Sequence, residues 1–420
     1  MSAWEATPRR FAMVTTFYPP YSFGGDATYL YRLVNALAAD GHQVEVVHCA
    51  DSYRLLARRD PTPGWPNHPN VRVRTLHSRF GALSPLLTQQ TGQPWLKRGP
   101  LEEALVSARP DVIHYHNVSL VGGPGALTIG DAPKLYTTHE HWLICPMHVL
   151  WKDGREVCER PSCFACQIRG RRPPQLWRAT GLLDRSLDQI DRFLAPSRFT
   201  MQMHQTRGLA GRPFTHLPYF VPAPETLPDP PEEGRPYFLF VGRLEAIKGL
   251  QTLIPLFRRW DRADLLVAGD GEYGEALRRE ADGCGRIRFL GRLDQAALAR
   301  LYRGARALIV PSICYEVFGI VILEAFAMGT PAIVRDLGAL PEVIADSDGG
   351  VTYRTDEELL AALERLLDDR AERDRLGENG HHAFHSRWTT RPHLAQYYAI
   401  VAGLSVESAA KRSSEGGAVC

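Results

Sequence analysis

A proline-rich break constrains this chain more than any other feature, because the same pattern of apolar runs is written on both sides of it. Residues 222–236 (PAPETLPDPPEEGRP) hold six prolines and four acids. Proline fixes φ and offers no amide donor, so this segment is neither helix nor central strand and reads as an interdomain linker. Before it, Phe11–Phe17, Gln43–Cys49, Val71–Leu76, Val112–Asn117, Lys134–Thr138 and Phe193–Pro196 read as strands. Ala27–Asp40 reads as a helix whose apolar stripe is Leu30, Leu33, Val34, Leu37 and Ala38, closed by Gly41. After it, the expected strands are Tyr237–Gly242, Leu265–Ala268, Ile287–Leu290, Ala307–Val310, Ala332–Val334 and Val351–Tyr353. Helices are expected at Leu250–Trp260, Gln295–Arg306 and Glu357–Asp368. Strands alternating with helices imply a parallel, doubly wound sheet in each half.

The fold class expected is therefore α/β, with two Rossmann-like domains at 1–221 and 237–390 facing across a cleft, and the cleft is the default site. A helix follows at 391–405, and the small, polar stretch 406–420 is expected to be disordered. At 420 residues the chain is too long for one core. A formal net charge of +2 gives no reason to expect a nucleic-acid partner. No run approaches the roughly 18 to 20 apolar residues needed to cross a bilayer. The opening MSAWEATPRRFAMVTTF lacks the apolar core of a signal peptide, so a cytoplasmic location is expected.

Chemistry concentrates in PSICYEVFGIVILEAFAMGTPAIVRDLGALPE, from Pro311 to Glu342. The strand ending at Pro311-Ser312 runs into a loop and then a helix from Gly319 to Met328, with Ile320, Leu323, Ala327 and Met328 at helical spacing. A helix N-terminus at the carboxyl edge of a parallel sheet is a ready anion site. Glu316 lies in the loop and Glu324, eight positions on, early in the helix. Upstream, Phe240-Val241-Gly242-Arg243-Leu244 leads to Lys248-Gly249. A forked guanidinium and a point-charge ammonium after one strand suit a departing diphosphate.

The paired glutamates, the Gly319-Ile320-Val321 turn and the Gly-Arg-x4-Lys-Gly segment together resemble family 4 retaining glycosyltransferases (glycosyl transferases group 1), over nearly the whole chain from about Phe11 to about Tyr398. The resemblance implies the GT-B architecture and a terminal helix that crosses back onto the first domain. It also implies a nucleotide-diphosphate sugar donor, with uridine ahead of guanosine. Arg243 and Lys248 would clamp the diphosphate and the amides of Gly319, Ile320 and Val321 would approach its distal phosphate. Glu324 would bind the ribose, Glu316 the transferred sugar, and the Arg292-Leu293 turn the base. Two cations and a helix N-terminus make a catalytic metal unnecessary, which agrees with the resemblance. Gly269-Asp270-Gly271-Glu272 reads as a strand-to-helix turn, not a dinucleotide fingerprint.

In the first half, the loop 19–26 ends in Gly24-Gly25-Asp26 ahead of the first helix. Paired glycines admit close approach of a ligand, and the loop resembles the family's glycine loop against donor phosphate or acceptor. Asp26 could instead cap the helix. Two histidine pairs lie at strand ends, His114 with His116 and His139 with His141. His139 matches the family's active-site histidine, while His114 and His116 alternate on a strand and would share a side. Retaining transfer in this family implies departure and attack on one sugar face, with His139 orienting the sugar. Glu140 and Asp26 are the other nearby acids that could serve as a base.

The insert at about 140–178 holds Cys145, Cys158, Cys163 and Cys166, separated by twelve, four and two residues. Four cysteines at that density can make a tetrahedral thiolate site, with structural zinc ahead of an iron–sulfur cluster and with His141 and His148 as substitute ligands. Arg155, Arg160, Arg169, Arg171 and Arg172, interleaved with Trp142, Trp151 and Trp177, make it an acceptor-side lid. That composition suits a phosphorylated lipid acceptor and peripheral contact at the inner face of the membrane. The acceptor could equally be a polysaccharide intermediate or a small metabolite. Two rival readings remain: a nucleotide-sugar epimerase of the same fold, and a metal-stapled polyanion-binding protein.

Overall fold

The apolar runs on either side of the proline-rich segment line up as two all-parallel sheets in a computed structural model, which describes residues 7–57, 61, 64–231 and 234–416. The chain divides into unit 1, Met1–Pro196 with Thr200–Leu217 and His393–Cys420, and unit 2, Ser197–Phe199 with Pro218–Pro392. Unit 1 holds strands β1 (Arg10–Val14), β2 (Gln43–Cys49), β3 (Val71–Leu76), β4 (Val112–Tyr115), β5 (Lys134–Thr137), β6 (Trp151–Lys152), β7 (Glu156–Val157), β8 (Arg192–Ala195) and β9 (Phe214–His216). Unit 2 holds β10 (Tyr237–Val241), β11 (Asp264–Ala268), β12 (Ile287–Gly291), β13 (Leu308–Val310), β14 (Ala332–Arg335) and β15 (Gly350–Tyr353).

The sheet of unit 1 runs β3-β2-β1-β4-β5-β8-β9 and that of unit 2 runs β12-β11-β10-β13-β14-β15. Helices cover both faces, so central strands are buried at nearly every position and mostly apolar instead of alternating. All of Val112–Tyr115 and Asp264–Ala268 are buried. Each sheet reverses its winding once, between β1 and β4 and between β10 and β13. The carboxyl ends of strands at such a reversal leave a crevice where open α/β sheets bind ligands. The strands expected from sequence all form, within a few residues of their expected ends.

Three places differ. The helix expected over Leu250–Trp260 is shortened to Ile254–Arg259, preceded by two 3-10 turns at Ala246–Lys248 and Leu250–Thr252. Pro255 has no amide donor to spare and so starts the α-helix instead of sitting inside it. The insert contains a two-residue antiparallel hairpin, β6 with β7, too short to leave a periodic signal. The terminal helix runs continuously from Thr390 to Gly416, so residues 406–416, expected to be disordered, continue it, and 417–420 lie outside the described residues.

From His393 onward the terminal helix is part of unit 1. Tyr397 stacks on His114 with ring centroids 5.7 Å apart, and the Tyr398 hydroxyl lies 3.1 Å from His42 Nε2. His393 Nε2 lies 3.1 Å from the Tyr29 hydroxyl. Aromatic hydroxyls thus satisfy the imidazoles they bury. Among the described residues, no helix is long and apolar enough to cross a membrane.

Candidate active site

In unit 2 the site is built from the loops that leave β10 and β13, the two strands flanking the reversal. The β10 loop passes Gly242-Arg243 and turns at Lys248-Gly249, where Gly249 has φ +76°. A Cβ there would stand 2.0 Å from the Pro311 carbonyl oxygen, so only glycine lets this turn lie against the β13 loop. The Ile313 amide donates to the Ile247 carbonyl at 3.0 Å and ties the two loops together.

That contact delivers Lys248 to Glu316, with Nζ 2.6 Å from Oε1. The Ser312 hydroxyl donates to the same oxygen, also at 2.6 Å. Burial raises the cost of both charges, but the Lys248 ammonium beside it outweighs this and holds the Glu316 carboxyl below its ordinary value. Burial likewise opposes the charge on Lys248, and Glu316 overcomes it, so the ammonium titrates above its ordinary value. The two form a fixed charged pair at neutral pH. Arg243 does not join it directly: its guanidinium is half-exposed and pairs with Glu245 at 2.7 Å. Burial, with Glu316 nearby, pushes the Cys314 thiol up to about 12, so it stays protonated and is no nucleophile.

Three residues past Glu316, Gly319 takes φ +99° and precedes the Ile320–Ala327 helix. A Cβ on Gly319 would stand 2.9 Å from Leu340 Cδ2, so the turn is both left-handed and crowded. The first-turn amides of Ile320 and Val321 have no intrahelical acceptor and remain available to an anion. One turn on, Glu324 is half-buried and accepts a hydrogen bond from the Tyr302 hydroxyl at 3.3 Å. Arg292 and Leu293 follow β12, the edge strand, with Arg292 exposed and Leu293 half-buried.

In unit 1, Gly24 has φ +71° and opens the Gly24–Ala39 helix, with Gly25 in its first turn. Phe23 occupies the N-cap position and Asp26 falls inside the first turn, so Asp26 is not the cap. His116 and His139 meet across neighbouring strand ends, Nδ1 to Nε2, at 2.7 Å. His114 lies against His116 with ring centroids 4.0 Å apart, and its nitrogens reach the Thr137 hydroxyl at 2.7 Å and the Tyr397 hydroxyl at 3.1 Å. The alternating pair therefore does share one side, and His114 is a satisfied core histidine. Burial pushes His139 down to about 3, and burial with the neighbouring imidazoles drives His114 and His116 well below their ordinary value. These rings are neutral at pH 7, so each acts through hydrogen bonding and not through charge. The partnership of His116 was hidden in the sequence, as was that of Ser312 and Tyr302, because each depends on a contact between distant segments.

Glu140 has both carboxylate oxygens engaged. One accepts from Asn117 Nδ2 at 3.0 Å and the other lies 2.8 Å from His148 Nδ1. His148 is thereby engaged through Nδ1 by Glu140, and His141 stacks on His204 at 5.5 Å. Cys145, Cys158, Cys163 and Cys166 line one small cavity with Pro146, Met147, Trp151, Lys152 and Ser162. All four are free of disulfides. Among the described residues, no group of three or more His, Cys, Asp or Glu side chains is drawn together as a metal-holding set.

The two halves match two family profiles, Glycosyltransferase Family 4 over residues 23–225 and Glycosyl transferases group 1 over residues 226–383. A glycogen synthase of Mycobacterium tuberculosis (strain H37Rv) is 30% identical over 392 residues, covering 86% of this chain and 87% of that one. A phosphatidyl-myo-inositol mannosyltransferase of Mycolicibacterium smegmatis is 37% identical over 146 residues, 33% of this chain and 38% of its own. Among solved structures, a sucrose-phosphate synthase from Thermosynechococcus elongatus superposes with a TM-score of 0.69 at 20% identity, covering 95% of this chain and all of that one (100%). The Anabaena protein HepE, solved with UDP-glucose, gives 0.65 at 16% identity, covering 94% of this chain and 100% of its own.

Proposed function

This chain belongs to the family 4 glycosyltransferases, enzymes that use a nucleotide-sugar donor, and from that premise we propose that it transfers a hexose with retention of anomeric configuration from a nucleotide-diphosphate sugar to an acceptor hydroxyl. The observation that carries this reading is the Lys248–Glu316–Ser312 arrangement beside the start of the Ile320–Ala327 helix. A fixed ammonium and first-turn helical amides would suit the charge that develops on a leaving diphosphate, and such preorganised donors supply the largest share of many rate enhancements. Arg243 lies close enough to act on both Lys248 and Glu316 and would swing from Glu245 to the diphosphate.

In the step itself the bond from anomeric carbon to phosphate oxygen breaks and the diphosphate departs with its electron pair. The acceptor oxygen bonds to the same face, and its proton passes to the leaving phosphate. Glu316 accepts from the transferred sugar and Glu324 from the ribose, as carboxylates can. His139, neutral through burial, hydrogen-bonds the sugar and does not attack it. With both oxygens of Glu140 engaged, the proton has a better destination in the phosphate. We favour a uridine carrier, in keeping with the UDP-glucose found on HepE.

For the acceptor, the Cys163–Arg169 helix exposes Phe164 and Ile168, with Leu176 exposed beyond it. Arg155, Arg160, Arg171 and Arg172 are exposed around them. Apolar side chains rimmed by arginines suit the headgroup region of an anionic bilayer, and so a lipid-linked acceptor at the inner membrane face. The test is nucleotide release from UDP-, GDP-, ADP- and TDP-sugars, with 1H NMR of the product's anomeric centre. One donor should turn over, with the configuration kept, and Glu316→Ala should lower the rate by about 100-fold or more. Inverted product, or an unchanged rate in the variant, overturns the reading.

A further inference from the structure

The insert is anchored at its two ends, where Trp142, Leu143, Leu150 and Trp177 are buried, but around Cys163 and Cys166 it buries little, with Phe164, Ile168 and Leu176 facing outward. Segments of this size that cannot build a core are usually stapled, by disulfides or by a metal. Disulfides are absent among the described cysteines, and the four thiols of the insert are gathered around one cavity instead.

The backbone around that cavity aims a donor at sulfur. The Asp153 amide donates to the Cys166 sulfur at 3.3 Å. A neutral thiol is a weak acceptor, so amide donors aimed at it are poorly used, whereas a thiolate accepts them strongly. Aiming them has a conformational cost. His148, Leu150 and Asp153 all adopt positive φ, at +74°, +49° and +53°, where non-glycine residues lose roughly 1–2 kcal/mol each. Three such residues within six positions persist only where something over-determines them. The β6–β7 hairpin sits between the first two cysteines, and the Cys158 amide closes it onto the Leu150 carbonyl at 2.8 Å. Arg178, whose guanidinium donates to the Trp142 and Leu143 carbonyls, lies near Cys145 and Cys163 and offsets negative charge there.

We infer that Cys145, Cys158, Cys163 and Cys166 bind one thiophilic divalent ion of the zinc class as a structural staple of the insert. All four sulfurs line the same small cavity, and closed sites of four thiolates are the common form of structural zinc. Among the described residues no three such side chains already stand as a metal-holding group, so binding would draw the sulfurs inward to the ~2.3 Å of a zinc–thiolate bond. The staple has a route to the catalytic strand end. The Cys145 amide donates to the His141 carbonyl at 2.7 Å, and His148 in the same loop holds Glu140, the neighbour of His139.

The test uses the full chain, purified without added metal or chelator. Elemental analysis should find one zinc per chain, and exchange with cobalt(II) should give the intense thiolate charge-transfer absorption of a tetrahedral four-sulfur site. Cys163→Ser, at the exposed position, should lower zinc content at least tenfold, while Cys284→Ser, remote in unit 2, should leave it unchanged. If Cys163→Ser does not fold, thiol labelling of the native chain decides. Four insert thiols that react at once, with under a tenth of an equivalent of zinc, overturn the proposal. A visible iron–sulfur spectrum overturns it as well.

Discussion

The two units share a parallel sheet with one reversal and carry candidate site residues at strand ends beside it, yet they equip that point in opposite ways. Unit 2 presents charge: Lys248 and Glu316 are ionised, half-sheltered and locked together by Ser312. Unit 1 presents neutral rings: His114, His116 and His139 are buried, stacked and unprotonated at pH 7. The difference follows from what surrounds each group: Lys248 and Glu316 each offset the cost of burying the other, whereas burial and neighbouring imidazoles leave the rings of unit 1 neutral.

The largest effect should come from breaking the charged pair on one side only. Lys248→Met leaves the Glu316 carboxylate enclosed without its cation, which typically costs about 3–5 kcal/mol. The double variant Lys248→Met, Glu316→Gln removes both charges and should recover most of that loss, although neither variant should turn over donor. Urea unfolding of unit 2 measures both. If the double variant is as unstable as the sum of its singles, the pair is not the enclosed unit described here.

Acid should separate the two units next. His139 is held at about 3 and His48 and His204 at about 4, all by burial, and His114, His116 and His141 also lie well below their ordinary value of 6.5. Below pH 6.5 the unfolded chain takes up protons that these folded rings refuse, so unit 1 loses stability as pH falls. Glu316 works in the other range. Its carboxyl lies below its ordinary 4.5, so its contribution is present above pH 4.5 and is lost only as pH drops through the lower folded value. Between pH 6.5 and about 4.5, hydrogen exchange should quicken in β1, β4 and β5 while β10 and β13 stay protected. Simultaneous loss in both sheets would remove the contrast.

Much of this was legible one-dimensionally because apolar runs and glycines act locally. The strands of both sheets, the Gly319 turn and the Lys248-Gly249 turn announce themselves in a few residues each. The Lys248–Glu316 contact did not, since it depends on a turn pressed against Pro311, and no periodicity reports such an approach. Arg243 illustrates the limit differently: its position after β10 was readable, but its present partner, Glu245, was not. His116 was legible as one of an alternating pair and illegible as the partner of His139, because β4 and β5 are joined only by the fold. The insert was readable in its cysteines alone. Its non-glycine left-handed residues are His148, Leu150, Asp153 and Arg171, and Leu150 and Arg171 are types that give no warning of positive φ as glycine would.

The smallest effect concerns Glu324, where the two units can be compared bond for bond. Tyr302→Phe removes one hydrogen bond to a charged acceptor at 3.3 Å, long enough to place it at the weaker end of such bonds. The expected loss is on the order of 1 kcal/mol, or about fivefold in the donor dissociation constant, if Glu324 holds the ribose. Thr137→Val in unit 1 removes a shorter bond, 2.7 Å to His114 Nε2, from a ring whose other nitrogen is taken by the Tyr397 hydroxyl. That variant should lower the unfolding midpoint and leave donor affinity where it was. Calorimetric titration of the donor against both variants resolves the pair. A weakened donor in Thr137→Val, with Tyr302→Phe unaffected, would move nucleotide recognition from the charged crevice of unit 2 to the neutral one of unit 1.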